Sequence, residues 1–232
     1  MAERIWLDVP FDEKNKAKAL GARWDGDEQR WYAPSEDAVK ALRRWKPTGE
    51  LSPDFPGEDR EFGSGLFVDL IPQTCWFTNV RSCVSQRDWE RIRRVVIERA
   101  GQKCEACGAR RNVEKKRWLE VHERWAYDED KKVQTLKRLI CLCTDCHQST
   151  HFGFAQVSGR GNQALAHLRK VTGMSKPKAL RHIEAAFETW DERSQLTWRL
   201  DLSLLSKSDI KVTPPPNARE RSRESNRAIK NQ

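Results

Sequence analysis

Two Cys-x-x-Cys pairs, Cys104/Cys107 and Cys143/Cys146, bracket a stretch that also holds His122 and is followed at once by His147 and His151. Each pair is a tight knuckle that offers two thiolates to one ion, and four such sulfurs close a tetrahedral zinc site. Zinc held this way is structural, because it stabilises the crowded thiolates and ties two chain segments together. The histidines form a second layer, and imidazole suits both proton transfer and metal ligation. His147 and His151 are four residues apart, so on a helix they share a face and can bind one ion together, a surface or phosphate-contacting His151 and a satisfied core His122 being the competing readings. Cys75, Cys83 and Cys141 lie outside the knuckles and are assigned to no metal, while His167 and His182 read as structural.

Those side chains need a strand for His122, in the run Trp118, Leu119 and Val121, and a helix start after the second knuckle. Ahead of them, LFVDLIP at 66–72 reads as a buried strand. Ser85 then caps a helix with Trp89, Ile92, Val95 and Val96 on one stripe, and Gly101 ends it. Arg87, Arg91, Arg93, Arg94 and Arg99 line the rest of that helix. Arg91 and Arg94 are thereby candidates for contact with a phosphate backbone, a solvated face being the other reading. Helices at about 163–171 and 175–190 follow, then SQLTWRLDLS, which alternates as a half-buried strand does.

The fold class is α+β, in two domains. Residues 1–46 combine a strand, a helix from Asp12 ended by Gly21, a hairpin turning at Gly26 and a helix from Ser35. Trp6, Trp24, Trp31 and Trp45 read as the core of a domain too small to be filled by aliphatics, with base stacking as the competing use. Residues 47–65 are rich in Pro, Gly and acid and read as a linker. The second domain spans 66–206. The tail, 207–232, is basic, proline-punctuated and nearly free of large apolar groups, so it is expected to be disordered.

The 232 residues carry a net charge of +9 with a pI near 9.3. Such a balance points to a nucleic-acid partner, because Lys and Arg release counterions from phosphate. No secretory leader or long apolar run is legible, so the expectation is a cytoplasmic protein with no membrane contact, whose cysteines stay reduced and serve metal.

Two resemblances add to this. The run LDVPF-x-EK-x-x-AK-x-LGARWD-x-x-x-x-RWY-x-P closely resembles a small Trp-rich domain of unknown function that recurs in plasmid primases. LEVHE, RLICLCTDCH and the enclosing Cys pairs resemble the zinc-stapled HNH nucleases, the ββα-metal or His-Me finger group, over roughly residues 66–206. That resemblance implies a zinc-stapled ββα-metal core with flanking helices. It also implies a catalytic Mg²⁺ or Mn²⁺ ion on the scissile phosphate of DNA and a His general base. His122 falls in the family's His-containing pair and His147 matches its helix His. Glu123 stands where most members have a second His, and Arg138 where they have Asn, so Arg138 would hold the phosphate instead. If His122 is a ligand, Glu123 must be the base; if His122 is the base, Glu120 or Glu123 must be an acidic ligand.

Three readings follow: an HNH-type endonuclease cutting DNA, a degenerate relative that binds nucleic acid without cleaving it, and a zinc domain for protein contacts. The positive charge disfavours the third.

Overall fold

The computed structural model describes residues 4–215 apart from 27, 29, 48, 50, 77 and 209. It is a mixed α+β structure with two three-stranded sheets. Most of the predicted basic tail, from residue 216, lies outside the described residues.

The first sheet is built from β1 (Ile5–Leu7), then, after helix α1 (Lys14–Ala19), the hairpin β2 (Arg23–Asp25) and β3 (Arg30–Ala33), in the antiparallel order β1-β3-β2. Gly21, at φ +94°, ends α1, a conformation that costs other residues energy. Ser35 caps α2 (Glu36–Leu42), its hydroxyl accepting from the Ala38 N–H. Leu7, Ala17, Trp31, Leu42 and Trp45 close a separate small core. Trp24 departs from the all-core expectation. It stands on edge strand β2 at 49% exposure, edge-on to Trp31 with ring centres 5.4 Å apart.

In the second domain a short α3 (Val80–Cys83) precedes α4 (Gln86–Arg99), which Ser85 caps by accepting from the Asp88 N–H at 3.0 Å. Strands β4 (Leu119–Asp128) and β5 (Val133–Cys143) form an antiparallel hairpin, and α5 (Thr144–Thr150) begins at the next residue. Four helices and a strand follow: α6 (Phe152–Val157), α7 (Gly161–Thr172), α8 (Lys176–Ser194), β6 (Arg199–Asp201) and α9 (Ser203–Ser206). β6 pairs in parallel with only the start of β5. A bulge shifts register at Arg124/Trp125, leaving Lys137 without a cross-strand partner.

Segment 47–65 is not a free linker. Beyond Leu136 the second edge of β5 has no partner strand, and its polar groups are satisfied by this segment and the first knuckle. The Asp59 N–H donates to Lys137 O at 3.0 Å, and the Leu139 N–H to Glu58 Oε1 at 2.8 Å. Glu105 exchanges two bonds with the Cys141 backbone. Glu58 also grips Arg99 through both its oxygens, and Leu51 and Phe55 pack into the main core. Composition hid this: three anchoring residues in an acidic, Pro-rich stretch outweigh its turn signals.

Three further expectations change. Residues 66–72 form no strand; they run as irregular chain pinned by Asp69 N–H to Thr150 O, 3.0 Å. Of SQLTWRLDLS only Arg199–Asp201 pairs. The tail's first residues are packed, with Ile210 buried and the Thr213 N–H donating to Cys83 O at 2.7 Å. No described helix is long and apolar enough to cross a membrane.

The two domains meet along α4. Asp8, almost fully buried, accepts from Arg94 at 2.5 Å and lies 3.9 Å from Arg30. Arg87 donates to Lys46 O and Arg91 to Gly49 O.

Candidate metal centres and the adjoining cavity

α5 starts where β5 ends, so Cys143 closes the strand and Cys146 sits in the first helical turn, both beside the 104–107 knuckle. That knuckle turns through Gly108 (φ +72°), whose N–H donates to Cys104 O at 2.8 Å. The four sulfurs lie within 4.8 Å of one another, with Cys107 and Cys143 3.6 Å apart. Tetrahedral Zn–S bonds would set sulfurs roughly 3.8 Å apart. The cluster therefore can hold a metal ion such as zinc. Hydrogen bonds from Cys143 and Cys146 lower the Cys104 thiol below its ordinary range, and the same contact raises that of Cys143. His167, on α7, places Nε2 3.1 Å from the Cys146 sulfur. It is an outer partner that helix periodicity alone could not reveal. Cys141, its thiol raised by burial to about 12, is not a member.

A second cluster lies on the other side of α5. Successive residues of β4 face opposite ways. His122 turns towards α5 and meets His147 and His151 at ring-centre distances of 5.4 and 4.8 Å. The His151 N–H still donates to His147 O at 3.0 Å although the helix stops at Thr150, so the two rings stay 4.6 Å apart. Ligating nitrogens of all three lie within 4.8 Å. His122 is 1% exposed, and neither of its ring nitrogens has a hydrogen-bond partner. An unpaired buried polar group costs roughly 1–3 kcal/mol, so this site fits a metal ion that takes up those lone pairs. Burial holds His122 and His151 well below the usual histidine range, keeping them neutral as ligands must be.

Carboxylates surround the three rings. Glu120 Oε2 lies 3.1 Å from His147 Nδ1, and this bond holds Glu120 below the usual carboxylate range. It fixes the tautomer, leaving Nε2 for an ion. Asp69 Oδ2 sits 4.0 Å from His122 Nε2 and 3.2 Å from Arg124, which is fully buried against the Phe67 ring. Neither Asp69 nor Arg124 was singled out from sequence. Arg124 did have a signal, since it shares His122's strand face two residues on. Asp69 had none, because its segment read as an ordinary strand. His182 holds that segment by accepting from the Val68 N–H at 3.0 Å.

Glu123 faces away from His122. Its Oε1 accepts from the Val80 N–H at 3.0 Å, and burial raises its carboxyl above the usual range. It nevertheless borders a cavity of about 860 Å³ that wraps the free edge of β4 and also reaches Glu120, His147 and His151. Arg138 is not at the histidines: its guanidinium is held by Glu105 at 2.8 Å and Ser64 at 3.0 Å. Arg91 and Arg94 are committed too, Arg91 to Asp88 at 2.8 Å and Arg94 to Asp8. Each of the three guanidiniums is thus paired with a carboxylate, Arg94 with the almost fully buried Asp8.

Residues 4–47 match a domain of unknown function (DUF5710). The chain is also similar to two proteins named DNA primase TraC, both from Escherichia coli. One is 47% identical over 47 residues, 20% of this chain and 4% of that protein; the other is 44% identical over 43 residues, 18% and 3%. The chain thus spans only a few per cent of those relatives' length. The matched domain contains no Cys or His, so neither cluster falls within it. No solved structure matches the chain.

Proposed function

We propose that the second domain is a zinc-stapled, metal-dependent phosphodiesterase of the HNH (ββα-metal) type acting on nucleic acid. The observation that carries this reading is the convergence of His122, His147 and His151 in a cluster separate from the four sulfurs, with His122 buried and unpaired. The hairpin followed directly by a helix, which positions all three, supports it. The net charge of +9 and the similarity of the first domain to a segment of a DNA primase support a nucleic-acid substrate.

In this reading zinc occupies the cysteines and a second divalent ion the histidines. Bound there, that ion supplies Lewis-acid stabilisation of the scissile phosphate and leaving oxygen. Three imidazoles favour a transition ion such as Mn²⁺ over Mg²⁺, which prefers oxygen ligands. Glu120 orients His147, and Arg124 holds Asp69 beside His122. Glu123, with its raised carboxyl on the cavity wall, accepts the proton from the attacking water.

One observation favours the non-cleaving alternative: Glu123 and His122 lie on opposite strand faces, and Glu123 is already engaged by Val80. Single-stranded, duplex and branched DNA, and RNA, are to be incubated with the protein in Mn²⁺, Mg²⁺ or Zn²⁺. Cutting that His122→Ala and His147→Ala abolish supports hydrolysis. Binding without cutting in any metal hands the reading to the binder.

A further inference from the structure

Six Trp and Phe rings line the cavity beside the histidines, an unusual share for a site that would grip a duplex only by its phosphates. Trp76 and Trp190, from opposite sides of the sequence, both donate their indole N–H to the same carbonyl, Ile71 O, each at 3.0 Å. Two bulky rings are thereby held in fixed orientation, and Phe187 meets Trp190 edge-on with centres 6.4 Å apart. Trp89 and Trp125 contribute further lining, and Phe154 stands at 60% exposure with Arg160 over its face. Polar side chains share the lining: the carboxylates Glu120 and Glu123, the rings of His147 and His151, and the cations Arg81 and Arg93, the latter paired with Glu90 at 2.7 Å.

We infer that this cavity takes an unstacked nucleobase, making single-stranded or locally opened nucleic acid the substrate; the inference rests on the phosphodiesterase reading. Ligand pockets run from roughly 300 to 1,000 Å³, so about 860 Å³ has room for a nucleoside and part of its backbone. Flat rings stack on any base and cannot reach one paired inside a duplex. Glu120 and Glu123, which line the cavity from opposite faces of β4, disfavour a small free anion. A neutral base has no such penalty, and it would leave its phosphate at the mouth, towards His147 and the arginines.

The test is binding of a fluorescein-labelled single strand and of the blunt duplex of the same sequence to the full chain, without added divalent metal. The single strand should bind at least about tenfold more tightly. Phe154→Ala, a substitution at an exposed position, should weaken it about tenfold with duplex affinity unchanged, and Phe154→Trp should restore it. Equal affinity for both substrates, indifference to Phe154→Ala, or preferential capture of an apolar peptide overturns the base site. Single-strand binding that depends on Phe154 but is never followed by cutting in Mn²⁺ or Mg²⁺ leaves the base site standing and removes hydrolysis. Cutting of duplex with no single-strand preference does the reverse.

Discussion

Cys146 and His147 are consecutive on α5, yet one turns its sulfur into the cysteine cluster and the other its ring into the histidine cluster. About 100° of helical rotation separates neighbours, so one short helix serves both sites. The sulfur site anchors that helix, and the histidines depend on its placement. Cys146→Ser is therefore expected to lose metal from both clusters and to abolish cooperative unfolding of the second domain, whereas His147→Ala should lose only the histidine-bound ion. Metal analysis with thermal unfolding checks the hierarchy, and retention of the second ion in Cys146→Ser refutes it. Structural zinc supplies about 10–16 kcal/mol in zinc-finger peptides, so the loss should be severe.

His122 carries a stability signature of its own. Both ring nitrogens are buried and unpaired, so in metal-free protein His122→Leu should raise stability by about 1–3 kcal/mol while cancelling all stabilisation by Mn²⁺. Denaturant unfolding with and without the ion reads both effects. A destabilised metal-free variant would mean that His122 serves the core, not an ion.

Glu120 acts through His147. Glu120→Gln keeps the shape but not the anionic acceptor, and is expected to weaken metal binding about 10–100-fold with the fold intact. Calorimetric titration with Mn²⁺ measures it, and unchanged affinity would leave Glu120 as a surface carboxylate.

The Glu58–Arg99 pair is almost wholly buried, with side chains 2% and 5% exposed. Removing one partner strands the other and leaves the Leu139 N–H unpaired, so Glu58→Ala should cost the second domain about 3–5 kcal/mol. Urea unfolding reads the cost, and a change under about 1 kcal/mol would return 47–65 to the status of a linker.

What the sequence determined by itself is local. Cys-x-x-Cys spacing needs no tertiary information to present two sulfurs, and Ser85 and Gly101 bound α4 through bonds made within a few residues. The β2–β3 hairpin and its Gly26 turn were legible for the same reason. Even the separation of His122 from Glu123 was available in the alternation of a strand, had it been weighed against the family pattern that pairs them.

Tertiary structure decided every matter in which a charge had to find its partner across the chain. Arg94 and Arg138 look like phosphate contacts until Asp8 and Glu105 stand beside them. Asp69 joined the histidines only because Thr150 and His182 pin its segment, and Glu58 turned an acidic, Pro-rich stretch into the cover of an open strand edge. Desolvation makes such pairings obligatory in the interior, but a one-dimensional pattern carries no record of which residues are brought together there.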